Sequence, residues 1–164
     1  MSGSSAAAPR STASRSDAPR SVADSLRALI GMVGSGDFAP IREIYADDVV
    51  VTHVFGVGEH TRWEGLDELV EHFDRAPLGR FSRTVRDLKV WSTDDPEVAI
   101  AEYTIEGHVH ATGRTFTQPN VIVARGRRSD GRLVETHDYH HHGMFAAFFG
   151  ALPEYVKELE AAAA

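Results

Sequence analysis

The 164-residue chain carries 17 Lys and Arg against 24 Asp and Glu, a formal net charge of -7, and 42% of it is hydrophobic. That composition suits one globular domain with a real core and argues against general affinity for nucleic acid or anionic membrane. There is no cysteine, which excludes disulfides, thiolate metal sites, iron–sulfur clusters and cysteine nucleophiles, and the apolar runs are too short to span a bilayer. Nine histidines are the compositional oddity.

Residues 1–20 are almost entirely Ser, Ala, Pro, Gly and Arg. Without a large apolar side chain they cannot offset the entropy of ordering, so a disordered tail ahead of a single domain at 21–164 is expected. The tail has neither the apolar core of a signal peptide nor an amphipathic face, so a cytoplasmic location is expected.

From Ser21 the periodicity turns helical: Val22, Leu26, Leu29, Ile30 and Val33 recur every three or four residues, and Gly34-Ser35-Gly36 ends the run. A short helix follows Pro40, and Asp47-Asp48 is read as its break before a strand from Val49 to Phe55. Thr61-Arg62-Trp63 is a short extended piece. Gly65 opens a helix with Leu66, Leu69, Val70 and Phe73 on one face. Strands are then expected over Arg83–Trp91, Val98–Ala111, Arg114–Arg125 and from Arg132 to about His142, the last two joined by the hairpin signal Ser129-Asp130-Gly131. Met144 to Leu152 reads as a short apolar helix and 154–163 as a final one. Helices first and a meander of strands afterwards is an α+β layout, not an alternating βαβ one.

Three stretches carry a resemblance to the nuclear transport factor 2-like superfamily. They are Gly36-Asp37-Phe38 leading into Tyr45-Ala46-Asp47-Asp48-Val49, similar to the helix-to-strand join of ketosteroid isomerases; Trp63-Glu64-Gly65 opening the helix that holds Glu71-His72-Phe73; and Asp130-Gly131-Arg132-Leu133-Val134 followed by Thr136-His137-Asp138-Tyr139. Within the superfamily the chain looks most like SnoaL-like polyketide cyclases and phenazine-biosynthesis A/B proteins. The resemblance implies a cone-shaped, curved, mostly antiparallel sheet wrapped around the N-terminal helices.

It also implies site residues. Asp138 matches the acid/base carboxylate of the cyclases, His53 stands where ketosteroid isomerases carry their proton-abstracting aspartate, and His72 matches a pocket histidine of the phenazine proteins. Side chains alternate along a strand, so an inward Asp138 takes Thr136 and His140 with it and turns His137, Tyr139 and His141 outward. On the middle strand Ala101, Tyr103 and Ile105 turn inward, leaving Glu102, Thr104, Glu106, His108 and His110 outside. Asp138, His72 and His53 are thus the expected catalytic groups. His140, Asn120, Tyr103, Trp63 and Phe145 are the expected substrate contacts. Ketosteroid isomerases run enolisation with an aspartate base and a neutral acid donor; here Leu29 stands at the matching tyrosine position, so steroid isomerisation itself is not expected.

Three adjacent histidines on a regular strand cannot converge on one ion. The set His53, His72, His140 and Asp138 suits zinc or iron in type, but no metal and no other cofactor is expected. The expected function is a small cofactor-free enzyme of secondary metabolism. It would cyclise, isomerise, condense or dehydrate an apolar carbonyl-bearing, polyketide-like or aromatic intermediate, with a homodimer formed through the outer sheet face. A non-catalytic small-molecule binding protein is the alternative, as is an epoxide hydrolase built on an inward network of Asp, Arg114 and Asn120.

Overall fold

The computed structural model describes residues 20–58, 61–76 and 78–164, the side chain of Leu78 excepted. Most of the expected tail, residues 1–19, lies outside the described part. Helix α1 (Val22–Ser35) starts on a reciprocal cap in which the Ser21 hydroxyl accepts from the Asp24 amide and the Asp24 carboxylate accepts from the Ser21 amide. It ends at Gly36, whose φ of 74° is the left-handed geometry a glycine cap adopts without strain. A single turn, α2 (Ile41–Ile44), leads directly into β1 (Tyr45–His53). Next come β2 (Arg62–Glu64), α3 (Leu66–Arg75) and four strands: β3 (Phe81–Ser92), β4 (Val98–Val109), β5 (Thr115–Gly126) and β6 (Leu133–Tyr139). Helices α4 (His142–Phe149) and α5 (Leu152–Ala162) close the chain.

The strands form one curved sheet in the order β2-β1-β6-β5-β4-β3, antiparallel throughout except where β1 runs parallel to β6. This is the α+β cone expected from the sequence. Helix α1 lies across β3 and β4, and α3 covers β1 and β2. The inward residues of β4 and β5 are strictly every second one, among them Ala99, Ala101, Tyr103 and Ile105 on one and Phe116, Asn120, Ile122 and Ala124 on the other. The small Ala99, Ala101 and Ala124 share one core with Leu26 and Ile30 of α1, both fully buried. Each of those two side chains contributes about 1.5–3 kcal/mol by leaving water.

Three boundaries differ from the sequence reading. Asp47-Asp48 does not break the chain: the strand begins at Tyr45, and a register irregularity between Tyr45 and Val50 keeps both aspartates exposed, Asp48 accepting from Arg127 at 2.6 Å. Val54 and Phe55 fall beyond the strand, in the turn that follows. Strand β6 stops at Tyr139, because the His141 ring accepts from the Met144 amide and so caps α4, of which His142 is the first residue. Alternation could not foresee that, since a cap is a local competitor of the strand ladder.

A bulge in β3 could not be foreseen either. Arg86 pairs with Thr104 and Lys89 with Glu102, so β3 holds one residue more than β4 there, and Asp87 takes a positive φ of 53°. Bulges bend a sheet and change its phase. Phe81, Arg83 and Val85 face inward before the bulge and Val90 after it.

Candidate active site

The open end of the cone is a cavity of about 310 Å³. Its walls are mostly apolar: Leu29 and Val33 from α1, Phe73 from α3, Ile105 and Ile122 from the sheet, and Phe145 from α4. Phe38 stacks on Phe73 at one side, and on the other Phe116 stacks on Phe148 beside Phe145, so aromatic rings frame the entrance.

Into this apolar space the sheet delivers one carboxylate and several imidazoles. Parallel pairing sets His53 of β1 beside Asp138 of β6, and antiparallel pairing sets Ile122 of β5 on Asp138's other flank. The His53 Nε2 lies 3.8 Å from Asp138 Oδ2, and His140 Nε2 lies 3.5 Å from the same oxygen. The other oxygen, Oδ1, is buried without a hydrogen-bond partner. Trp63 of β2 packs edge-on against His53 and lies over His72 of α3.

The orientation of His140 follows from the residue behind it. The Asn120 amide nitrogen donates to the Gln118 carbonyl at 2.9 Å, so its oxygen faces His140 Nδ1 at 2.8 Å. Nδ1 therefore carries the hydrogen, and Nε2 is the atom turned to Asp138.

Burial by itself would push the Asp138 carboxyl up. The close His140 imidazole, with His53 beside it, outweighs burial and holds the carboxyl below its ordinary value. His53 moves the other way: burial lowers it to about 3 despite the Asp138 carboxylate, with His140, His142 and His72 adding to the depression. His142 is lowered to about 4, again chiefly by burial. Two of the cavity imidazoles are thus neutral at physiological pH. Tyr103 is raised by burial and by Asp138, so its hydroxyl stays protonated; its oxygen has no hydrogen-bond partner among the described residues.

Seven of the eight side chains anticipated as site residues line this cavity: Asp138, His53, His72, His140, Tyr103, Trp63 and Phe145. Asn120 does not. It is buried behind His140 with its amide oxygen engaged by that ring, so it orients a neighbour and is not placed to touch substrate. Arg114 stands apart as well, outside the cavity on the Phe148 ring with a bond to the Ala147 carbonyl, and contributes no inward Asp–Arg–Asn network.

Three polar lining residues were not among the expected site residues: His142, Arg83 and Tyr45. His142 enters from the first turn of α4, beyond the alternation that ends at Tyr139, so its only sequence signal is its place in the run of histidines. Arg83 carried a weaker one, its place between Phe81 and Val85 on the inward parity. The His53, Asp138 and His140 ligand atoms all lie within 4.8 Å of one another, so this trio is where a divalent transition metal would be held by imidazole and carboxylate.

A cone-shaped α+β sheet with a carboxylate and histidines at its open end defines a nuclear transport factor 2-like protein. Residues 26–136 match the model of the SnoaL-like domain, and the chain belongs to that family. Solved structures share the fold. A protein provisionally named an isomerase, from Bacillus subtilis, has 23% identity and a TM-score of 0.70, covering 79% of this chain and 93% of its own. One provisionally named a polyketide cyclase, from Xanthomonas campestris pv. campestris, has 21% identity and a TM-score of 0.64, covering 77% and 94%. An LEH-like epoxide hydrolase from M. tuberculosis has 18% identity and a TM-score of 0.59, covering 85% and 95%. No curated protein matches the chain. No helix among the described residues is long and apolar enough to cross a membrane.

Proposed function

We propose that this protein is a cofactor-free acid/base enzyme of secondary metabolism. It binds an apolar, carbonyl-bearing, polyketide-like or aromatic intermediate in the cone and moves protons on it, in a cyclisation, isomerisation, condensation or dehydration. The observation that carries the reading is the Asp138 carboxylate, buried in an apolar cavity, with one oxygen unpartnered and the other 3.5 Å from an imidazole whose tautomer is held from behind. The unpartnered Oδ1 takes a proton from the carbon next to the substrate carbonyl. The electron pair moves onto the carbonyl oxygen, to which the Tyr103 hydroxyl donates. Asp138 returns the proton from Oδ1 to another carbon, which completes an isomerisation, or keeps it while the enolate carbon closes a ring; His140 Nε2, facing Oδ2, steadies the carboxylate. His53 and His72 form the wall beside the reacting carbon. Exposed Leu88 and Trp91 on β3 support a homodimer through the outer sheet face.

The test uses 2-tetralone, an apolar bicyclic ketone, in D2O with EDTA present, following deuterium entry at the carbons flanking the carbonyl. The wild type is expected to accelerate exchange and Asp138→Asn to reduce it at least about a hundredfold, since general acid/base catalysis contributes on that scale. A non-catalytic binding protein would give no exchange above buffer. Equal rates in wild type and Asp138→Asn would overturn the assignment of the base.

A further inference from the structure

The cavity holds a second polar pole that the acid/base chemistry leaves unused. Arg83 of β3 lines it, with its Nη2 atom buried and without a hydrogen-bond partner. Among the described residues the guanidinium makes no ion pair and no hydrogen bond; its contacts are the faces of two rings, Phe81 at 5.0 Å and Phe38 at 5.8 Å from the guanidinium carbon. Every other arginine that forms an ion pair here does so on the exposed surface. A partly buried cation with no anion carries a desolvation cost that a counter-charge would offset, and aromatic faces provide only part of it.

Tyr103 lines the same cavity, and its hydroxyl also lacks a protein partner. The poles are not equivalent. Asp138 is a carboxylate with His140 close to one of its oxygens, whereas Arg83 is a cation with no counter-charge among the described residues. An anion entering the cavity is therefore drawn to the Arg83 end and kept off the carboxylate.

We infer that the substrate carries a carboxylate, bound by the Arg83 guanidinium, on a body of fused or aromatic carbon that fills the rest of the cone and leaves the Tyr103 hydroxyl to the reacting carbonyl. A planar guanidinium suits a carboxylate because two parallel N–H donors meet its two oxygens. The Phe38 and Phe81 rings, 5.8 Å and 5.0 Å from the guanidinium carbon, limit where the fork can move. Arg83 is thereby the specificity-determining residue that sets which end of the substrate reaches Asp138. The inference rests on the cavity being the substrate site proposed above.

The experiment compares 2-naphthoate with its neutral isostere 2-naphthamide, following Trp63 fluorescence, with Trp91, which does not line the cavity, as a constant background. The wild type is expected to bind the carboxylate about ten to a hundred times more tightly, the range for hydrogen bonds to a charged group. Arg83→Gln should abolish the preference, Arg83→Lys should keep part of it, and Asp138→Asn should leave it intact or enlarge it. Thermal unfolding of each variant separates loss of the fold from loss of the anchor. A wild type without preference for the carboxylate, or an Arg83→Gln protein that retains it, overturns the inference. The exchange on 2-tetralone, which has no carboxylate, reads Asp138 alone and can stand or fall separately.

Discussion

The Asn120 amide oxygen accepts from His140 Nδ1 at 2.8 Å, one strand away from the carboxylate that His140 faces with its other nitrogen. A residue of the cavity wall is thus set in place from outside the cavity, by a side chain held in turn by the Gln118 carbonyl. Such a shell behind the reacting groups fixes the tautomer and the ring angle together.

Asn120 is therefore a positioning residue. Asn120→Leu is expected to lower kcat for 2-tetralone exchange about tenfold or more with little change in KM, because the ring is released while the cavity walls stay. Asn120→Asp restores an acceptor at the same place and should recover most of the rate, with the pH–rate profile displaced to higher pH by the added negative charge. Steady-state kinetics across pH 5–9 distinguish this from a structural role, which would give no rescue and no displacement.

Stability should fall on mild acidification, and His53 should account for a definable part of the loss. Above the unfolded value of 6.5 its imidazole is neutral in both states. As pH falls below that, the unfolded chain takes up a proton that the folded chain refuses until about pH 3, so stability is lost across that window. The limit is about 1.4 kcal/mol per pH unit. Urea unfolding at pH 7, 6 and 5 should show a steeper decline in the wild type than in His53→Gln, and equal slopes would show that His53 is not buried neutral.

Gly107 of β4 lies under the Phe116 ring, where an added Cβ would come within 2.2 Å of the ring carbon at Cζ. Neither backbone strand can yield without breaking the ladder, and the ring is itself stacked on Phe148 of α4. Gly107→Ala is expected to destabilise by about 1–3 kcal/mol, the usual cost of overpacking. Since Phe148 neighbours the mouth, 2-naphthoate affinity should weaken too. A denaturant midpoint unchanged from wild type would mean the ring can swing aside.

Much of this molecule is written in local periodicity. Strand alternation from the single placement of Asp138 put Thr136 and His140 inside and His137 and Tyr139 away from the core, and the same rule on β4 separated Ala101, Tyr103 and Ile105 from Glu102 and Glu106. Period-3.6 spacing drew α1, with Gly36 at its end. These are properties of a few residues and their nearest covalent neighbours, so composition and order determine them. The tertiary structure decided what no local rule carries. Whether Asn120 meets ligand or a histidine depends on the register between β5 and β6. The inward turn of Arg83 depends on packing against Phe81 and Phe38, and the return of His142 to the cavity on a cap that ends β6 early. Asn120 with His140 and Arg83 with Phe38 are contacts between segments distant in the chain, and the cap at His141 is a local alternative to the strand ladder; in each the competing free energies of burial, charge and hydrogen bonding are comparable and only the folded geometry selects among them.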